Sequence, residues 1–567
     1  MHNGIYTHCV CGGLQTRRGK SNLRLYTLIN KPRIILPGDK TLQNDNNTNS
    51  TNDTNETNKN PSMVRHAVFM MAGTLLSRIL GLAREVLVAA FFGATKYMDA
   101  FNIAYTLSNL ARQLLAEGAL SAAFVPVFSQ ALTKSREKAL ALARGTMTVL
   151  LFATCIVVGL GIFFAPALVK IMAPGFDAES HSLAVELTCW MFPFLIVISL
   201  SALTMGELNS LGSFFVPALS PACSNLIFIV TAPIFAARFG VYGLALSVLC
   251  GGLAHFLTQW LYSFRLQAVL YPSRPDMRDP DLKRIMKLFL PYAAGLSLNQ
   301  VNPIISRMLG SFLQEGSISV LNYSNRILQL PLGLFVIAIS QAVLPQLARA
   351  ENDEEFTATL RQAVRFALFV VLPASLGVIA ISDELVHLVF VRGEFGGWAW
   401  SATSSTLAFN MLGLPGMACS TVVMRALYAL SMPREAFRVT AFSVGATAVL
   451  SFILVWPMGY DGLALAPGIA FTLSGFLGLY YVRKKLGRPL NILTWGLAGN
   501  YLVSLAVIDI AVMAYRFVWP YDVSAGSGIR SLWILGVVAL GAGAYAAVTL
   551  LKGFEEWQLL IQAFRKK

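Results

Sequence analysis

Thr74–Gly93 reads TLLSRILGLAREVLVAAFFG, a run apolar enough to lie in a bilayer that still carries Arg78, Arg84 and Glu85. A charge at the bilayer centre costs at least about 2.5–3.5 kcal/mol, so residues of this kind are kept for what they bind or pair with. Asp99 and Arg112 follow in the next hydrophobic run.

The rest of the chain shares this apolar character. Its 567 residues are 55% hydrophobic and only 13% charged, with a mean hydropathy of +0.60, against about 25% charged residues in an ordinary soluble domain. Apolar runs long enough to cross a hydrocarbon core of about 30 Å recur from Ala67 to Leu551. They lack strand-like alternation, and lipid leaves backbone groups no partner outside their own segment, so the spans are expected to be helices. Fourteen are expected, over about 66–92, 99–130, 143–172, 182–209, 214–237, 241–268, 287–312, 318–348, 362–391, 400–430, 436–457, 461–482, 492–517 and 530–551. The connecting loops are too short for a soluble catalytic domain. The sequence contains no Walker motif, H-E-x-x-H or nucleophile elbow, and its six histidines do not cluster. These features argue against an enzyme and against ATP-driven transport by this chain alone.

Basic residues set the expected orientation. Lys134, Arg136, Lys138, Arg274, Arg278, Lys283, Arg284, Arg434, Arg438, Arg483, Lys484, Lys485 and Arg488 fall in loops after even-numbered spans, and Lys552, Arg565, Lys566 and Lys567 in the tail. The positive-inside rule therefore puts both termini in the cytoplasm. It also explains the formal net charge of +15 without a nucleic-acid partner. Anionic membrane lipids add to its causes. Residues 1–62 differ in kind: NDNNTNSTNDTNETNKN (Asn44–Asn60) cannot bury a core and reads as disordered, with Met63 the expected true start. The seven cysteines show no metal spacing, and no metal or cofactor is expected.

Sliding the sequence on itself by about 219 residues superposes Val125-Pro126 on Leu344-Pro345, Gly175-Phe176 on Glu394-Phe395, and Met205, Leu208 and Leu211 on Met424, Leu427 and Leu430. The offset covers six spans, an even number, so the two halves insert in the same orientation, related by a pseudo-two-fold along the membrane normal. The expected architecture is all-α. A first lobe spans 63–270 (spans one to six) and a second 271–486 (spans seven to twelve). The segment 487–567 holds two extra helices and a tail.

Helical geometry gathers the charges. Ser77, Gly81, Arg84 and Val88 share one stripe, with Arg78 and Glu85 on an adjoining one. The second span carries Asn109, Arg112 and Glu117, and the eighth carries Asn325, Arg326 and Gln329. If the lobes face each other, Arg78, Arg84, Arg112 and Arg326 converge on one cationic site. Guanidinium forks suit phosphate, so the expected ligand is a phosphate or diphosphate carried across the membrane. The bland alternatives are snorkelling arginines and structural ion pairs. Glu85, Asp99 and Glu117 either orient the arginines or titrate or bind a cation.

Gly73–Phe128, with its SRxxGxxR motif, Asp99 and the run AEGALSAAFVPVF, resembles the opening of the MurJ/MviN lipid II flippases of the multidrug/oligosaccharidyl-lipid/polysaccharide exporter superfamily. APGF (Ala173–Phe176), GELNSLGSFFVPALSP (Gly206–Pro221) and NRILQLPLG with AVLPQLA (Asn325–Ala348) extend the likeness from about Met63 to the C-terminus. The resemblance implies a bacterial inner-membrane flippase whose cargo, lipid II, joins an undecaprenyl tail through a diphosphate to a disaccharide-pentapeptide. It implies alternating access from cytoplasm to periplasm, a role in peptidoglycan and cell-wall biogenesis, and cell-wall synthesis machinery as candidate partners. By the same resemblance the essential positions are Arg78, Arg84, Asp99, Arg112 and Arg326, and the last two spans help form a groove for the lipid tail.

The chain departs from that pattern where it has Asn325, Gln329 and Ser306 in place of family carboxylates. Sodium coupling is thereby in doubt, and a proton or the membrane potential is as plausible a drive. Competing readings are a flippase for another undecaprenyl-diphosphate-linked oligosaccharide, a superfamily drug antiporter, and a non-transporting cell-wall scaffold.

Overall fold

A computed structural model describes residues 61–113, 119–297, 300–492 and 494–558. The Asn/Thr-rich tract and Glu117 lie outside them. The described helices follow the order of the expected spans. They are α1 (Pro61–Phe92), α2 (Lys96–Arg112) with α3 (Ala119–Lys134), α4 (Arg136–Phe163) with α5 (Ala165–Met172), α6 (Ala178–Met191) with α7 (Phe194–Ser210), α8 (Phe215–Phe239) and α9 (Val241–Arg265). The second set is α10 (Pro280–Ser297) with α11 (Val301–Gly310), α12 (Ser317–Pro331) leading through a π-helical stretch (Leu332–Ile337) into α13 (Ala338–Arg349), α14 (Asp353–Ala380) with α15 (Ser382–Phe390), α16 (Trp398–Leu412) with α17 (Leu414–Ala429), α18 (Pro433–Met458) and α19 (Tyr460–Leu486). Helices α20 (Trp495–Val518) and α21 (Ser527–Leu551) follow. Pro61 and Ser62, assigned to the polar tract by sequence, belong to the first helix. A proline is well placed there, because a first-turn residue has no intrahelical use for an N–H.

Eleven of these helical segments are long and apolar enough to cross a membrane. Arg78, Arg84 and Glu85 lie on α1, Asp99 and Arg112 on α2, Arg307 on α11 and Arg326 on α12.

The repeat is visible in where helices break. The interruption at Phe164 between α4 and α5 has its counterpart at Ile381 between α14 and α15, and prolines 126 and 345 sit inside α3 and α13. Each half also pins the loop after its last helix, α9 or α19, in the same way. Arg144 Nε donates to Val269 O at 3.2 Å and Arg136 donates to Leu266 O, while Arg365 Nε donates to Ile492 O at 2.8 Å and Arg361 Nε to Leu490 O at 3.0 Å.

One apolar core draws on α1 to α10, with Phe124, Phe128, Leu187, Met191 and Leu203 fully buried, and a second on α12 to α19 around Tyr323, Phe390, Phe395 and Met411. Helix α1 serves both, Val88 in the first and Ala89 in the second. A third core, around Phe369, Trp533 and Tyr545, fixes α20 and α21 against α14. Since lipid tails are as apolar as leucine, close approach rather than water exclusion holds such helices together. Gly413 and Gly468 touch with no room for a Cβ on either, and Ser420 and Ser474 hydrogen-bond at 3.0 Å across the same pair of spans.

Candidate functional site

The two halves are joined at one end by Asp99. This carboxylate, 4% exposed, accepts from the Gly316 N–H at 2.7 Å, the Ser319 N–H at 2.8 Å and the Ser319 hydroxyl at 2.6 Å. It therefore caps the N-terminus of α12 from the other half of the molecule, where unsatisfied amides and the helix dipole favour an anion. Gly316 has φ +88°, and a Cβ there would overlap Ala94 O, so only glycine allows α12 to start against α2. Asn102 to Ser319 (3.1 Å), Tyr323 OH to Gly93 O (2.9 Å) and the Glu394 N–H to Ala90 O (3.0 Å) complete the closure.

Beyond this closed end lies a cavity of about 370 Å³ whose lining includes Arg84, Glu85, Asn109, Arg112, Asn325, Arg326 and Gln329. Arg84 Nη2 pairs with Glu85 Oε1 at 2.7 Å, and its guanidinium lies over Tyr105 and Phe228, 5.6 and 5.3 Å from the ring centroids. The fork is thereby fixed in a preset direction. Arg112 Nε donates to Asn109 Oδ1 at 2.7 Å. Arg326 reaches Gly81 on α1, where the absence of a side chain gives its guanidinium room.

Arg78 does not join this group. With Ser77 it lines an adjoining cavity of about 440 Å³ that shares Arg326 and Gln329 with the first. Six residues on a helix turn through 600°, which leaves Arg78 and Arg84 about 120° apart. The expected single site is therefore two compartments with Arg326 and Gln329 between them. Arg78 Nη1 donates to the Gln329 carbonyl at 3.4 Å, and Asn225 Nδ2 donates to Ser77 O at 3.1 Å.

Sequence reasoning missed Arg307, Tyr105 and Gln300, all on the main cavity's wall. Gln300 donates to Gln113 at 2.6 Å, linking the start of α11 to the end of α2. Arg307 was legible as a second charge in a polar span, but its place near a helix end suggests snorkelling. A separate, almost wholly apolar cavity of about 590 Å³ runs between the eighth span, α14, α20 and α21, past Leu334, Phe369, Val512 and Trp557.

Four arginines and one carboxylate among the described lining residues give the main cavity an excess of positive charge, and it is set inside a bundle of apolar helices. The model of the family described as "Lipid II flippase MurJ" matches residues 88–538. A Burkholderia cenocepacia protein named lipid II flippase MurJ is 32% identical, covering 73% of this chain and 82% of its own. A Vibrio cholerae protein named as a probable lipid II flippase MurJ is 31% identical over 87% of this chain and 96% of its own. Among solved structures, a lipid II flippase MurJ in an inward closed conformation superposes with a TM-score of 0.72 at 26% identity, over 87% of this chain and all of that one. An inward-facing multidrug resistance MATE family transporter shares the fold, with a TM-score of 0.59 at 18% identity over 75% of this chain and 98% of its own.

Proposed function

The chain belongs to the MurJ family of lipid II flippases, and from that membership we propose that its main cavity holds the diphosphate of lipid II while the headgroup crosses the membrane. It is a multi-pass membrane transporter and not an enzyme. The observation that carries the reading is the convergence of Arg84, Arg112 and Arg326 from three helices on one cavity. Guanidinium forks match phosphate oxygens two at a time, and low-dielectric surroundings strengthen each bond. Arg78, one compartment away and sharing Arg326 and Gln329, is a staging contact on the same route.

The closed end is a gate. Asp99 with the α12 amides forms its latch, and Asn102, Ser319 and Tyr323 support it. On the positive-inside reading both termini are cytoplasmic and this end faces the periplasm of a bacterial inner membrane. Releasing Asp99 while the cargo occupies the arginines would exchange access from one side to the other. Asn109 and Asn325 orient Arg112 and Arg326, and Glu85 orients Arg84. The apolar cavity beside α20 and α21 takes the lipid tail. An ion gradient or the membrane potential drives the cycle, and cell-wall synthesis enzymes are partner candidates. A cationic drug is disfavoured as cargo by the excess of guanidinium groups.

Complementation of a strain depleted of its lipid II flippase tests this. Wild-type protein should restore growth, and Arg326→Ala and Arg112→Ala, expressed to the same level, should not. Failure of the wild type, or full rescue by both variants, would sink the reading.

A further inference from the structure

The main cavity contains a fourth guanidinium that the diphosphate does not need. Arg307 lines it from α11, together with Gln300 and Pro303. Its Nε is buried with no hydrogen-bond partner among the described residues, where its one hydrogen bond runs 3.4 Å from Nη1 to the Pro303 carbonyl of its own helix. Arg307 makes no ion pair among the described residues, and the described lining offers a single carboxylate, Glu85, already held by Arg84. A buried guanidinium left this way has a strong drive to acquire an acceptor.

Depth separates Arg307 from the others. It lies three residues before the end of α11 at Gly310, roughly 5 Å of helix rise from the closed end. Arg326 is nine residues into α12, roughly 13 Å from that end, and Arg112 thirteen residues beyond Asp99, roughly 20 Å. A lipid-linked headgroup enters a cavity with its diphosphate trailing, because the diphosphate is tied to a tail that stays in the bilayer. The deepest guanidinium therefore meets the far part of the headgroup. A diphosphate diester carries two negative charges, and Arg84, Arg112 and Arg326 already serve them.

We propose that Arg307 binds a second anionic group of the cargo, a carboxylate of the headgroup's peptide, and so selects for peptide-bearing cargo. This rests on the diphosphate reading above and adds a second point of recognition to it. The neutral wall around it, Gln300 and Asn322, supplies amide groups that suit peptide and sugar without competing for the guanidinium.

The test uses the full-length protein in lipid nanodiscs and two probes: lipid II, and undecaprenyl-diphosphate-disaccharide lacking the peptide. Arg307→Gln should weaken lipid II binding roughly tenfold or more while leaving the peptide-free probe within about twofold. Arg326→Gln should weaken both probes alike. Retained binding of the peptide-free probe also reports that the variant is folded, and Arg307→Lys should recover part of the loss. Equal weakening of both probes by Arg307→Gln, or none, overturns the assignment. Wild-type protein that binds neither probe would instead defeat the diphosphate reading, and the Arg307 role with it.

Discussion

Helix α1 and its counterpart α10–α11 begin and end at equivalent places, since an offset of about 219 carries Pro61–Phe92 onto 280–311. The same offset puts Pro303 opposite Arg84, Ile304 opposite Glu85, Gln300 opposite Gly81 and Arg307 opposite Val88. The first half therefore presents an arginine paired with a carboxylate, and the second an arginine without an ion pair among the described residues one turn further along. The closed end shows a similar division: the first half supplies the carboxylate of Asp99, and the second answers with backbone amides and a serine. Two halves built alike thus differ in what they supply, the first an ion pair and a capping carboxylate, the second backbone amides, a serine and an arginine.

Breaking the paired side should do most damage. Arg84→Ala leaves Glu85 buried without its partner, a change that costs about 3–5 kcal/mol in comparable buried pairs, and should abolish rescue of a flippase-depleted strain. Adding Glu85→Ala should restore the melting temperature of the purified protein but not the rescue. If the double variant transports, Arg84 is a structural residue and the contrast with Arg307 loses its meaning.

Asp99→Asn comes next. It keeps the shape and removes the charge from three hydrogen bonds, each worth about 1.5–3 kcal/mol when charge-assisted, so the closed end should open more often. A spin-label pair at Tyr97 and Glu315, read by pulsed distance measurement, should show a longer second population. An unchanged distance distribution would mean that Tyr323, Asn102 and Glu394 suffice to hold the gate.

The glycine at 81 gives a sharper contrast. Gly81→Leu should displace Arg326 and cut lipid II binding by roughly two orders of magnitude, the cost of losing a charge-assisted contact. Gln300→Leu, at the equivalent place in the other half, should lose the bond to Gln113 and one neutral amide on the cavity wall, and change binding by about fivefold or less. Equal effects would show that the halves are less specialised than the residues suggest. The smallest effect is expected of Gly333→Ala, whose new Cβ would meet the Arg78 guanidinium. That head group is the far end of a flexible chain and can step aside, so binding should fall by about threefold or less.

Much of this was legible in the sequence because membrane spans are written in long apolar runs and intramembrane charges stand out against them. The repeat, the places of the spans, and Arg84, Arg112 and Arg326 on a shared cavity follow from such signals. The separation of Arg78 did not, because stripes on one helix do not say which partner side chains will stand between them. Nor did the π-helical stretch at Leu332–Ile337. Arg307 does not stand out in the sequence, because a lone arginine near a helix end has an innocent explanation in the headgroup region.

The four arginines that pin the loops after α9 and α19 all donate to main-chain carbonyls, at Leu266, Val269, Leu490 and Ile492. A carbonyl is present whatever side chain the receiving residue bears, so those loops can change their amino acids freely without losing the attachment. That tolerance lets the halves drift apart in sequence while keeping a common frame, which is why their kinship survives in the positions of breaks and pins more clearly than in the letters themselves.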